Sequence, residues 1–249
     1  MPWAVDGYPG IQCSAAAATM AARVAALGRA PPSDAGRACL PIAPEFAADQ
    51  IAEGMAAAEP AEWFVRRGEG ATAFIRERAG SVVGFADAVA RAGAALSSEM
   101  LALPVDIAVL FSALRQQPIP TDPVEQLFRA CEMHRERRGA MHVAAAASHG
   151  LDPCSLVVLT AAVRGTRALS VLDTWSKQAR NDALRRLQRR GLVDAAGAAT
   201  NDGRTCREGI ERSTDLADLE LIEALGPDVD LYIDGLTPIA AGVVQGSGG

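Results

Sequence analysis

The run QARNDALRRLQRRGLVDAAGAATNDGR, residues 178–204, constrains the fold more than any other part of the chain. Ser176 stands where a helix N-cap belongs, Ala183, Leu184 and Leu187 form one apolar strip over Lys177–Arg190, and Gly191 supplies the stop. Leu192–Asp194 and Ala198–Thr200 then read as two short strands joined at the AAG turn, and a new helix starts at Asn201 or Asp202. Helix, strand, turn, strand, helix is the order of a winged helix. The opposite face of its first helix carries Arg185, Arg186, Arg189 and Arg190, two like-charged pairs at i, i+4 that repel unless an anion lies near.

Everything upstream reads as helix. Apolar residues make up 49% of the chain but aromatics only 4%, so the core is built of Ala, Leu and Val, which suits closely approaching helices. Helices are expected from Ser14 to Leu27, Glu45 to Ala57, Pro60 to Arg67, Ala71 to Ala79 and Ser81 to Ala95. Prolines in GRAPPSDAGRACLPIAP and QPIPTDP mark breaks, and another helix is expected to start at Pro104. Val124, Leu127, Phe128 and Cys131 fall at i, i+3, i+4, i+7 and predict a helix from Asp122 to Arg138, stopped by Gly139 and followed by a short one over Ala140–His149. Asp152 and Pro153 have the N-cap and first-turn pattern of a further helix, and Thr205–Leu225 and Pro227–Val244 read as the last two. The fold class expected is mostly α: a helical N-terminal portion, residues 1–150, and a C-terminal winged helix with its helices, residues 151–249.

The formal charge of −6 opposes nucleic-acid binding as a whole-chain average. Residues 177–213, however, hold nine Lys/Arg against five Asp/Glu, while 214–249 hold seven acids and no base. The arginine row therefore has two possible neutralisers, DNA phosphate and the acidic tail. The wing argues for the tail, because VDAAGAAT has no basic residue and contributes Asp194. Five scattered cysteines, none in a CxxC pair, give no zinc or disulfide framework. No metal and no cofactor are expected, no segment has signal-peptide layout or membrane-spanning length, and a cytoplasmic protein follows as the expectation.

No HExxH, GxSxG, P-loop or dinucleotide-binding pattern is present. The most suggestive group is CEMHRERRGAMH, in which Cys131, His134 and Arg138 continue the apolar strip of Val124, Leu127 and Phe128. Polar groups on a buried face need partners or a ligand. The sharp reading makes His142 and His134 acid–base groups and Arg138 an oxygen binder, with Arg29, Asp34 and Cys131 completing a ligand pocket. The plain reading makes Arg138 a partner of helix carbonyls or a carboxylate and the histidines satisfied core or surface groups. Trp63, Phe64, Phe74 and Phe85 are expected in the core.

From Ala130 to Val244 the chain resembles the SalK-like actinobacterial helix-turn-helix proteins associated with natural-product gene clusters. Arg138, Gly139 and His142 match that family's arginine-glycine-histidine run, and Gly191, Gly197, Thr200, Gly203, Glu211, Thr214 and Asp215 match its winged-helix signature. Gly28, Arg29, Ala30 and Pro32 match an upstream segment, whereas MPWAVDGYPGIQCSAAAAT lacks the histidine that family members carry there. The resemblance implies a winged-helix fold and a secondary-metabolism setting. On that footing the expected function is handling of a small hydrophobic, polyketide-like or peptide-like molecule by a cofactor-free enzyme or a binding protein, with the winged helix serving packing in a homodimer. The alternative is a ligand-responsive winged-helix transcriptional regulator that binds DNA, and a purely structural partner is a third class.

Overall fold

The structure, a computed structural model, describes residues 10–104, 107–165 and 170–245. Among these it is helical throughout, with no strand. In chain order the helices are α1 (Ala15–Val24, continued by a 3-10 turn at Ala25–Leu27), α2 (Pro32–Arg37), α3 (Pro44–Ala57), α4 (Pro60–Ala79), α5 (Phe85–Ala102) and α6 (Val109–Arg115). They continue as α7 (Pro123–Ser148), α8 (Pro153–Arg164), α9 (Ser170–Thr174), α10 (Lys177–Arg189), α11 (Asn201–Leu225) and α12 (Val229–Gln245). No single described helix is long and apolar enough to cross a membrane.

Local chemistry sets several of these boundaries. Ser14, Asp152 and Ser176 each accept a backbone N–H from the first turn of the helix they precede, at 3.1, 2.9 and 3.1 Å. Gly191, in the left-handed region at φ 70°, closes α10. There the N–H of Leu192 reaches back to Leu187 O at 3.0 Å.

Two expected stops are overridden. Pro60–Ala79 is one helix rather than two, and α7 runs unbroken through Gly139. An interior glycine costs only about 1 kcal/mol relative to alanine, which packing of the neighbouring turns outweighs. The helix expected at Pro104 begins instead at Val109. Residues 1–9 of the variant N-terminus lie outside the described residues.

The chain divides into two compact units, and neither is a single stretch of sequence. Unit 1 comprises Met1–Ala30, Gln50–Arg137 and Leu219–Gly249, and unit 2 comprises Pro31–Asp49 and Arg138–Asp218. In unit 1, Ala18, Ala21, Ala22 and Ala25 surround fully buried Trp63, whose indole N–H donates to Gly54 O at 2.9 Å. A Cβ on Gly54 would lie 2.5 Å from Ala21 Cβ, so the alanine-rich α1 and the end of α3 meet almost backbone to backbone. A second cluster joins Ala79, Val89, Ala92, Val124, Leu127 and Ile239.

A core cluster of unit 2 is made by Leu156 and Leu159 of α8, Leu187 of α10, Ile210 of α11, the end of α7 and Leu192–Val193. Burying each such leucine or isoleucine contributes about 1.5–3 kcal/mol. Residues 31–49 are fastened to the segment around α9, where Trp175 Nε1–H donates to Pro41 O at 2.9 Å and the Ala43 N–H to Thr174 Oγ1 at 3.1 Å.

Candidate functional site

Within unit 2, α9 and α10 both pack against α8. Ala183 and Leu187 are fully buried and Leu184 half-buried, as the apolar strip predicts. The two expected wing strands are reduced to a single antiparallel bridge, Val193 to Ala199. The reason is local: Asp194 Oδ1 accepts the Ala198 N–H at 2.9 Å and Gly197, at φ 85°, turns the chain immediately, so there is room for one pair. Thr200 then caps α11, its Oγ1 accepting the Gly203 N–H at 3.1 Å and donating to Gly191 O at 2.7 Å.

Two arginines of the row meet nearby carboxylates rather than the acidic tail. Arg185 pairs with Asp182, and Arg186 Nε donates to Asp152 Oδ2 at 3.0 Å. Arg190 uses Nη1 and Nη2 to cap Gly150 O and His149 O at 2.7 and 2.8 Å. Arg186, Arg189 and Arg190 line a cleft of about 170 Å³ beside the start of α8. Lys177, Asn181, Arg185 and Arg189, at i+4 steps, form an exposed polar stripe along α10.

Tail acids serve α7 instead. Arg138 reaches Asp218 at 3.0 Å, Asp215 at 2.8 Å and Glu211 at 3.8 Å, a carboxylate partnership of the kind the plain reading describes. Glu211 is a hub: it also takes Arg207 at 2.6 Å and Arg164 at 3.0 Å, and lies 4.0 Å from His142 Nδ1. Thr214 Oγ1 donates to Ile210 O at 2.8 Å and therefore accepts from His142 Nδ1–H at 2.9 Å, leaving Nε2 as the basic nitrogen. Burial, reinforced by the Arg207, Arg138 and Arg164 guanidiniums and opposed by Glu211, lowers the His142 pKa below its usual 6.5.

The six residues expected to share a pocket fall in two groups. Asp34, Arg138 and His142 belong to unit 2, and Arg29, Cys131 and His134 to unit 1. Asp34 binds Arg37 at 2.9 Å on the surface, and Arg29 pairs with Glu59, both exposed. Cys131 is exposed rather than buried, and His134 is half-buried.

This chain belongs to the helix-turn-helix family. The family model matches residues 8–248, nearly the whole chain and both units. No curated protein and no solved structure matches it.

In unit 1 the sequence reading missed which polar groups of α7 are buried. They are Arg129, Glu132, Glu136 and Arg137, at 5–6% exposure, instead of Cys131, His134 and Arg138. Arg23 holds Glu136 with two hydrogen bonds of 3.0 and 2.8 Å, Arg135 adds one of 2.5 Å, and Arg67 meets Glu132 at 2.5 Å. Burial pushes the Glu136 carboxyl up, but Arg23, Arg135 and Arg67 together hold it below the usual range. A signal was present: Glu132 and Glu136 sit at i, i+4 on a face continuous with Arg129. It was obscured because the middle of α7 is covered on more than one side, so no single apolar strip describes it.

Among the described residues no group of three His, Cys, Asp or Glu is placed to hold a metal ion.

Proposed function

We propose that this helix-turn-helix protein binds DNA, with α10 entering the major groove. The observation that carries the reading is the exposed stripe Lys177, Asn181, Arg185 and Arg189 on α10 of unit 2. Three cations and one amide at helical spacing supply phosphate contacts and an adenine-reading group on one face. The charge is unevenly distributed, since residues 177–213 around α10 hold nine Lys/Arg against five Asp/Glu although the whole chain carries −6. Asp194 is used inside the wing turn, so α10 carries the contact without a basic wing.

As the homodimer expected from the sequence, it would read two half-sites about one helical turn apart. The setting implied by the SalK-like resemblance makes it a cytoplasmic regulator responsive to a natural-product-like ligand. The acid–base enzyme reading draws less support, because Arg138 already meets three carboxylates and His134 belongs to the other unit.

The test is fluorescence anisotropy against the upstream DNA of its own gene and a random duplex, from about 50 to about 200 mM salt. Sequence-selective, salt-sensitive binding that Arg185→Ala/Arg189→Ala weakens is expected, the double variant flattening the log–log salt slope by about 0.9 for each phosphate it leaves unneutralised. Absence of binding at the lowest salt overturns the reading.

A further inference from the structure

Unit 1 contains a groove of about 590 Å³, within the range of small-molecule sites, to which the DNA reading assigns no role. Its wall is mostly apolar: Phe64 and Val65 from α4, and Pro118, Ile119 and Pro120 from the segment after α6. Val65 and Ile119, at 53% and 55% exposure, are large aliphatic side chains left open to this groove. The proline segment is tied down by Gln117, whose Nε2 donates to Ala26 O at 3.4 Å.

Arg129 also lines the groove, and it lines a smaller adjoining cavity with Ser97, Leu101 and Met133. The residue is only 5% exposed, yet its Nε and Nη1 have no hydrogen-bond partner. Its guanidinium lies 4.1 Å over the Phe64 ring, and the nearest Glu132 oxygen is 3.9 Å away, beyond hydrogen-bond range. Glu132 is in any case committed to Arg67 at 2.5 Å. A buried guanidinium held in this way by stacking, with two of its three nitrogens lacking a partner, is costly unless an acceptor completes it.

Two carboxylates restrict what that acceptor can be. Glu69 and Glu125 line the same groove, and Glu125 Oε1 lies 2.5 Å from where a Cβ on Gly68 would stand, so the glycine makes room for it. Their repulsion grows with the ligand's charge, so a dianion is disfavoured more than a monoanion whose one carboxylate meets Arg129.

We infer that the groove is a binding site for an apolar organic acid with one carboxylate, which Arg129 receives while the apolar body covers Phe64, Val65 and Ile119. The inference stands apart from DNA binding and is tested without DNA.

Decanoate, decanol and decyl phosphate would be titrated calorimetrically into the wild-type chain, Arg129→Met and Ala61→Trp. Ala61 is an exposed groove residue, so tryptophan there fills the groove without disturbing the core. The expected result is saturable binding of decanoate, weaker binding of the alcohol and the phosphate, and loss of all three in Ala61→Trp. Arg129→Met is expected to weaken decanoate about ten- to a hundredfold and to leave decanol unchanged. Absence of saturable decanoate binding, binding indifferent to Ala61→Trp, or a preference for the phosphate would each overturn the proposal. If Arg129→Met fails to fold, Ala61→Trp and the order of the three probes decide it.

Discussion

Asp152 joins the stability of unit 2 to the charge available on α10, and two substitutions separate those roles. Its carboxylate caps α8 by accepting the Ser155 N–H and Oγ–H at 2.9 and 2.7 Å, and it holds Arg186 at 3.0 Å. Replacing it with alanine removes both. The cap is worth about 1 kcal/mol. The ion pair adds no more than about 0.5 kcal/mol, because the two side chains are 44% and 40% exposed and solvent screens them. Asp152→Ala is therefore expected to cost about 1–1.5 kcal/mol, and Asp152→Asn, which caps nearly as well, less than about 0.5 kcal/mol. Urea unfolding with circular dichroism measures both. In the DNA assay Asp152→Asn frees Arg186 for phosphate, so affinity at low salt should rise and the salt slope steepen by up to about 0.9. Equal destabilisation by the two variants, together with an unchanged salt slope, would refute the reasoning: the carboxylate would then act on the fold through its charge and Arg186 would have no part in binding.

Leu187→Ala, at a fully buried position between α8, α10 and α11, should cost about 3–4 kcal/mol in urea unfolding and abolish DNA binding with it. Gly203→Ala is expected to cost about 1–3 kcal/mol, because its Cβ would fall on Leu192 O where α11 meets the wing, whereas exposed Asp202→Ala should be nearly neutral. His142 has a folded pKa below its unfolded value, so its contribution is complete above about pH 6.5 and lost as pH falls through the folded pKa. The urea midpoint of the wild type should therefore drop between about pH 7.5 and about pH 5.5 by more than that of His142→Gln, and equal drops would remove His142 as the cause.

Local chemistry was legible in the sequence wherever a residue acts on its own neighbours. Asp152 and Ser176 as caps, Gly191 as a stop and the strip Ala183–Leu187 need only a few turns of chain to be decided, and the structure has them as read. The alanine-rich, aromatic-poor composition likewise implied helices in close approach, realised where Gly54 meets Ala21. Interior glycines were over-read as stops, since Gly139 costs less than the packing of the helix it interrupts.

Partners distant in sequence were not legible. Arg138 was expected to await a ligand or a nearby acid and instead meets Asp215 and Asp218, about eighty residues away, because α11 lies beside α7 in unit 2. Arg129 shows no anomaly as a sequence position, one arginine among many on a charged helix. Its meaning arises only when Phe64 and the Gln117–Pro120 segment close over it and take away its water. Residue order alone dictates where the chain turns helical and where most helices start. Which charges neutralise one another and which remain for a ligand is settled in three dimensions, because desolvation and pairing depend on neighbours that sequence spacing does not bring together.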